Sequence, residues 1–133
     1  MRLTILLVED DEIEMLKFKK ALNKINSPIK ILSAKNGEEA IQLCETSLPN
    51  LIFLDLKMPK MNGLEFLSLL KNNEELKSIP AMILTTSNNH NDINNAYKIG
   101  VAGYIVKPLR YDAYVAQIKK VIEYWCINEL VKR

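Results

Sequence analysis

Polar residues close four apolar runs of this chain, and their types suit phosphoryl and divalent-cation chemistry. Glu9 and Asp10 follow residues 3–8, Asp55 follows 51–54, Thr85 follows 81–84 and Lys107 follows 104–106. Three carboxylates offer the oxygen ligands that a hard cation takes. The lysine can hold a phosphoryl oxygen as a point charge, and the threonine can donate a hydrogen bond to one. These residues span positions 9 to 107, so a fold must gather them. In an open parallel sheet the carboxyl ends of the strands share one edge, and ligands bind in the crevice outside it.

The elements that would do this alternate five times. Residues 3–8 are a continuous apolar run, as expected of a strand buried on both faces. A helix over about 12–26 places Met15, Phe18, Leu22 and Ile25 on one face and is broken by Pro28. Strand 29–34 follows. Asn36 is placed to cap a helix that carries Ala40, Ile41, Cys44 and Leu48 inward and stops at Pro49. Strand 51–56 leads to the loop 58–63 and a helix with Leu64, Leu67 and Leu70 in register. Strand 79–84, a short helix 92–99 ended by Gly100, and strand 102–106 come next. The last helix runs from Tyr111 to about Val131 and buries Tyr114 or Val115, Ile118, Val121, Ile122 and Trp125. Five strand–helix units predict an α/β protein: a doubly wound, five-stranded parallel sheet between two helix layers.

Composition narrows the function classes. The chain has 133 residues, enough for one well-packed domain, and no linker or repeat points to a second. Its net charge of +2 arises from 18 basic and 16 acidic residues, which argues against a nucleic-acid footprint. Cys44 and Cys126 are isolated thiols of the kind expected in the reducing cytoplasm. No signal peptide is expected, because a strand begins at Leu3, and no apolar run reaches the length of a membrane span. The glycines at 37, 63, 100 and 103 form neither a P-loop nor a dinucleotide fingerprint.

Leu7-Val8-Glu9-Asp10-Asp11, Leu54-Asp55-Leu56-Lys57-Met58-Pro59, Asn62-Gly63-Leu64, Leu84-Thr85-Thr86 and Gly100-Val101-Ala102-Gly103-Tyr104-Ile105-Val106-Lys107-Pro108 stand in this order. Asp55 is 30 positions before Thr85 and 52 before Lys107. On these motifs and intervals the chain resembles the receiver domain of two-component response regulators over essentially its whole length. The resemblance implies the flavodoxin-like (βα)5 receiver fold, three layers α/β/α, spanning 1–133 with no output domain. Details such as Ala96-Tyr97 and Tyr124-Trp125 look like the small single-domain regulators paired with phytochrome-type or hybrid histidine kinases.

The same resemblance implies roles. Asp55 is the nucleophile that takes a phosphoryl group from a phosphohistidine. Mg²⁺ is the cofactor, ligated by Asp10 and Asp55, by Glu9 largely through water, and by the backbone carbonyl of Lys57. Lys107 holds Asp55 and then the phosphoryl group, aimed by a cis bond to Pro108. Thr85 and Tyr104 form the switch. Thr86 stands where the family carries a small residue, which alters access to the site. Lys57 and Ser87 flank the path of the hydrolytic water and suit neither one a base, so a long-lived aspartyl phosphate is expected. Asp11 is assigned to capping the first helix rather than to the metal, and His90 to a polar loop.

The partners implied are a histidine kinase or phosphotransfer protein, a downstream protein, and a homodimer through the fourth helix, fifth strand and last helix, with Tyr104, Tyr111, Tyr114 and Lys119 near that face. Nucleic acid and membrane are not expected. The chain is read as a phosphoacceptor that assists its own phosphorylation and dephosphorylation, not as an enzyme. Three alternatives stand beside this reading. One is an unphosphorylated pseudo-receiver scaffold. Another is a receiver fragment of a larger regulator. The last is a phosphatase with an aspartyl nucleophile, which would want an acid where Lys57 stands.

Overall fold

Apolar side chains at alternate strand positions split between the two faces of one sheet. The computed structural model describes residues 3–25 and 28–131. Its strands are β1 (Leu3–Val8), β2 (Ile29–Ala34), β3 (Leu51–Leu54), β4 (Ala81–Thr85) and β5 (Gly103–Val106). All pair in parallel, in the order β2-β1-β3-β4-β5. The helices are α1 (Glu12–Asn23), α2 (Gly37–Thr46), α3 (Gly63–Lys71), α4 (His90–Ile99) and α5 (Tyr111–Cys126).

Leu6, Val8, Ile52, Leu54, Ala81 and Ile83 pack with residues of α2, α3 and α4, including Ala40, Phe66, Leu67, Leu70 and Ala96. Ile5, Leu7, Leu51, Phe53, Met82 and Leu84 pack with Phe18 and Leu22 of α1 and with Tyr114, Ile118, Ile122 and Trp125 of α5. Two apolar faces per strand explain why β1, β3 and β4 read as unbroken apolar runs. The doubly wound α/β architecture expected from the sequence is the observed one. Helices change faces about β1, so the carboxyl ends of β1 and β3 flank the point where the strand order reverses.

Element ends depart from the sequence reading where a polar side chain or a turn intervenes. Helix α2 stops at Thr46, because Ser47 is extended (φ −143°), and Leu48 is left 40% exposed rather than inward. Asn89 caps α4 by accepting from the N–H groups of Asn91 and Asp92, so His90 opens the helix instead of lying in the loop. Helix α5 ends at Cys126, where the Asn128 side chain donates to the Tyr124 carbonyl at 2.7 Å. Helix α1 ends at Asn23, and Asn26, its expected end, lies outside the described residues. Strand β3 ends at Leu54 rather than at 56, since the Leu56 N–H turns to the Asp55 carboxylate at 2.7 Å.

Gly63 opens α3 directly beneath the phosphate-binding edge that the sequence predicts. Its N–H donates to the Leu56 carbonyl at 2.9 Å. A Cβ there would collide with the Asp55 carbonyl oxygen and lie 2.8 Å from both Leu56 Cα and Leu54 Cδ1. Backbone cannot yield as a side-chain tip can. Gly63→Ala is therefore expected to destabilise the fold by about 1–3 kcal/mol, read as a lower denaturation midpoint at unchanged slope.

Candidate phosphorylation site

Each carboxylate of the site leaves a strand at the same edge. The Glu9 N–H is bound to the Ala34 carbonyl at 2.9 Å and the Asp55 N–H to the Val8 carbonyl at 3.2 Å, which ties the β1 and β3 exits to their neighbours. Carboxylate oxygens of Glu9, Asp10 and Asp55 lie within 4.8 Å of one another. Asp11 turns away and caps α1, accepting from Ile13 N–H at 2.8 Å and Glu14 N–H at 3.2 Å, the task the sequence assigned to it.

Glu9 is the buried member, 4% exposed. One of its oxygens accepts from the Asp11 N–H at 3.2 Å and the other from Lys107 Nζ at 3.3 Å. Burial pushes its carboxyl up to about 7; Lys107 and the Asp11 N–H pull it down, and Asp55 adds a smaller upward push. Crowded carboxylates of this kind fit a cation, and an all-oxygen donor set suits a hard divalent cation rather than a soft metal. A cleft of about 620 Å³ opens beside the cluster, lined by Asp10, Leu56, Lys57, Met58, Pro59, Asn62, Leu64 and Asp92.

Two expectations about Lys107 need correction. Its ammonium pairs with Glu9 and with Glu14 Oε2, at 3.3 and 3.4 Å, and no ion pair joins it to Asp55. With the Asp55 carboxylate engaged by the Leu56 N–H, the buried ammonium is satisfied from the β1 and α1 side instead. The Lys107–Pro108 bond is trans, as is every peptide bond among the described residues. The trans form is the default for an X–Pro bond.

Thr85 ends β4 at 1% exposure, and its Oγ1 accepts from the Ser87 N–H at 3.4 Å. The Thr85 carbonyl binds the Lys107 N–H at 2.7 Å, so the two strand ends are locked side by side. Tyr104 is half-buried, and its hydroxyl donates to the Ser87 carbonyl at 2.9 Å rather than reaching only water. Burial raises its phenol, the hydrogen bond to Ser87 offsets part of that, and Asp92 and Asp55 raise it further. The Ser87 hydroxyl donates to Asp92 at 2.8 Å. Tyr114 is buried against α1, which removes it from the expected outer face, where Tyr97 and Val106 are exposed.

Glu14 is the residue the sequence reading passed over. It lies in the first turn of α1, where a carboxylate favours the helix dipole and looks fully explained. Only the packing of α1 across the sheet edge brings it to Lys107, 93 positions away.

The family model described as the response regulator receiver domain matches residues 5–119. The "Probable methanogenesis regulatory protein FilR2" of Methanothrix harundinacea is 33% identical over 127 residues, covering 91% of this chain and 82% of that protein. Response regulator Rcp1 of Synechocystis sp. is 30% identical over 128 residues, covering 91% and 87%. Among solved structures, the phosphorylated cyanobacterial phytochrome response regulator RcpA aligns with a TM-score of 0.94 at 31% identity, covering 99% of this chain and 100% of that one. The Mn²⁺-bound form of response regulator Rcp1 aligns with a TM-score of 0.90 at 28% identity, covering 97% and 99%.

Proposed function

Since the chain belongs to the response regulator receiver domain family of two-component signalling, we propose that it is a phosphoacceptor switch, taking a phosphoryl group onto Asp55 from a histidine kinase or phosphotransfer protein. The observation that carries this reading is the convergence of Glu9, Asp10 and Asp55 within 4.8 Å, with the Lys107 ammonium on Glu9. A carboxylate oxygen of Asp55 attacks phosphorus, the P–N bond breaks, and its electron pair returns to the donor imidazole, which takes a proton from solvent. Asp10 and Asp55 would hold Mg²⁺ directly, Glu9 through water and Lys57 through its carbonyl, supplying positive charge against the transferring phosphoryl. Thr85 donates its hydroxyl to a phosphoryl oxygen, and Lys107 takes another.

The same residues link the site to its readout. Thr85 is drawn toward the phosphoryl group and loosens from the Ser87 N–H. Tyr104, hydrogen-bonded to the carbonyl of that same Ser87, then rotates inward. The contacts that change are those of α4, β5 and α5, where a downstream protein or a second copy docks. A phytochrome-type kinase is the partner that the likeness to RcpA supports. The site of action is the cytoplasm; no helix among the described residues is long and apolar enough to cross a membrane.

Amide exchange with and without Mg²⁺ and beryllofluoride, a phosphoryl mimic, tests the coupling. Exchange is expected to change across 85–106 and along the outer face of α5, and to stay constant in β2 and α2. Identical exchange in the two states would contradict the switch.

A further inference from the structure

Lys107 is held by more carboxylate than its single charge requires. Its side chain is 9% exposed, and it lies between Glu9 Oε1 at 3.3 Å and Glu14 Oε2 at 3.4 Å. Glu14 is itself fixed. Its N–H donates to the Asp11 carboxylate at 3.2 Å, and its other oxygen lies 3.5 Å from Lys17 Nζ. Beside this network runs a groove lined by Glu14, Lys17, Thr86, Lys107 and Tyr114, among others.

We propose that Glu14 is a positioning residue that holds Lys107 back on α1 and so sets how readily the ammonium crosses to a phosphoryl group on Asp55. The proposal rests on the phosphoacceptor reading and names a regulator of that same site. A lysine has a flexible stem and moves as a point charge, so its position follows the strongest nearby anion. Two carboxyl groups, those of Glu9 and Glu14, hold it in the resting protein, and an arriving phosphoryl group must outcompete both. Glu14 thus weakens the phosphorylated state and gives α1 a stake in it: whatever draws Glu14 away, or neutralises it, releases Lys107 toward Asp55. Lys17 opposes this hold by sharing the Glu14 carboxylate.

These relations give opposite signs for neighbouring substitutions. Glu14→Gln is expected to bind beryllofluoride in Mg²⁺ about fivefold more tightly than the wild type, the size a partly exposed ion pair supports. Glu14→Asp keeps the charge at the helix terminus but shortens the reach, and is expected to fall between the two. Lys17→Met is expected to bind about twofold more weakly, because Glu14 is then left wholly to Lys107. Without Mg²⁺ or beryllofluoride, Glu14→Gln shifts the Lys107 side-chain NMR resonances. A purely structural role for the Glu14–Lys17 pair would move both substitutions in one direction, together with the melting temperature. Glu14→Gln binding no more tightly than a wild type that does bind overturns the proposal. A wild type that takes up no beryllofluoride overturns the phosphoacceptor reading and this proposal with it.

Discussion

Asp10→Ala is expected to lose Mg²⁺ affinity by more than about a hundredfold in calorimetric titration, whereas Glu9→Gln loses about tenfold. Outer-shell partners of metal sites are typically worth 10–100-fold, and a directly ligating carboxylate is worth more. Asp10 is exposed at the mouth of the cleft, with a carboxylate oxygen within 4.8 Å of those of Glu9 and Asp55. Glu9 is buried and already engaged with Lys107, so its substitution is expected to cost less. Unchanged affinity in Asp10→Ala would refute its part in the site.

Glu9 also makes the metal-free fold sensitive to pH. Its carboxyl stands at about 7 against an ordinary 4.5, raised first by burial and opposed by Lys107. A group with a raised folded value gives stability that is fully present below the unfolded value and lost as pH rises through the folded one. The metal-free protein is therefore expected to lose stability between about pH 4.5 and 7 through this group and to level off above. The loss is on the order of 3 kcal/mol at most. Glu9→Gln flattens that slope. Mg²⁺ favours the ionised carboxylate, so its stabilising effect grows over the same interval. A wild-type slope that Glu9→Gln leaves intact would assign the effect to another group.

The fold was legible because its strands are buried on both faces and its breaks are chemically plain. Pro28, Pro49 and Gly100 stand between elements as expected, and the parity of residues 51–54 alone assigns Leu51 and Phe53 to one layer and Ile52 and Leu54 to the other. The site was legible to the extent that its residues end strands: Glu9, Asp10, Asp55, Thr85 and Lys107 do meet at one edge. What failed depends on geometry between elements or on local competition for hydrogen bonds. The apolar spacing that carried α2 on to Leu48 says nothing of the extended Ser47 before it. The apolar pattern of α5 continues to Leu130 and Val131, but the Asn128 side chain captures a terminal carbonyl first. Lys107 could be placed at the edge but not given its partner, since Glu14 enters only through the packing of α1.

Replacing Asp55 by asparagine is expected to abolish phosphorylation. The amide cannot attack phosphorus as a carboxylate does, and the substitution removes one of the three clustered carboxylates. The other acidic residues of the cluster do not substitute for it. Glu9 is buried and pinned by Lys107 and the Asp11 N–H, and Asp10 is the residue proposed to face the cation. Because the loss removes the bond-forming atom, the effect is complete rather than graded.

Intact-mass measurement after incubation with acetyl phosphate and Mg²⁺ tests the account most directly. The wild type should gain one phosphoryl group, only when the divalent cation is present, and Asp55→Asn should gain none under the same conditions. An Asp55→Asn protein phosphorylated to the wild-type yield, or a folded wild type that gains no phosphoryl group with Mg²⁺ present, would contradict it.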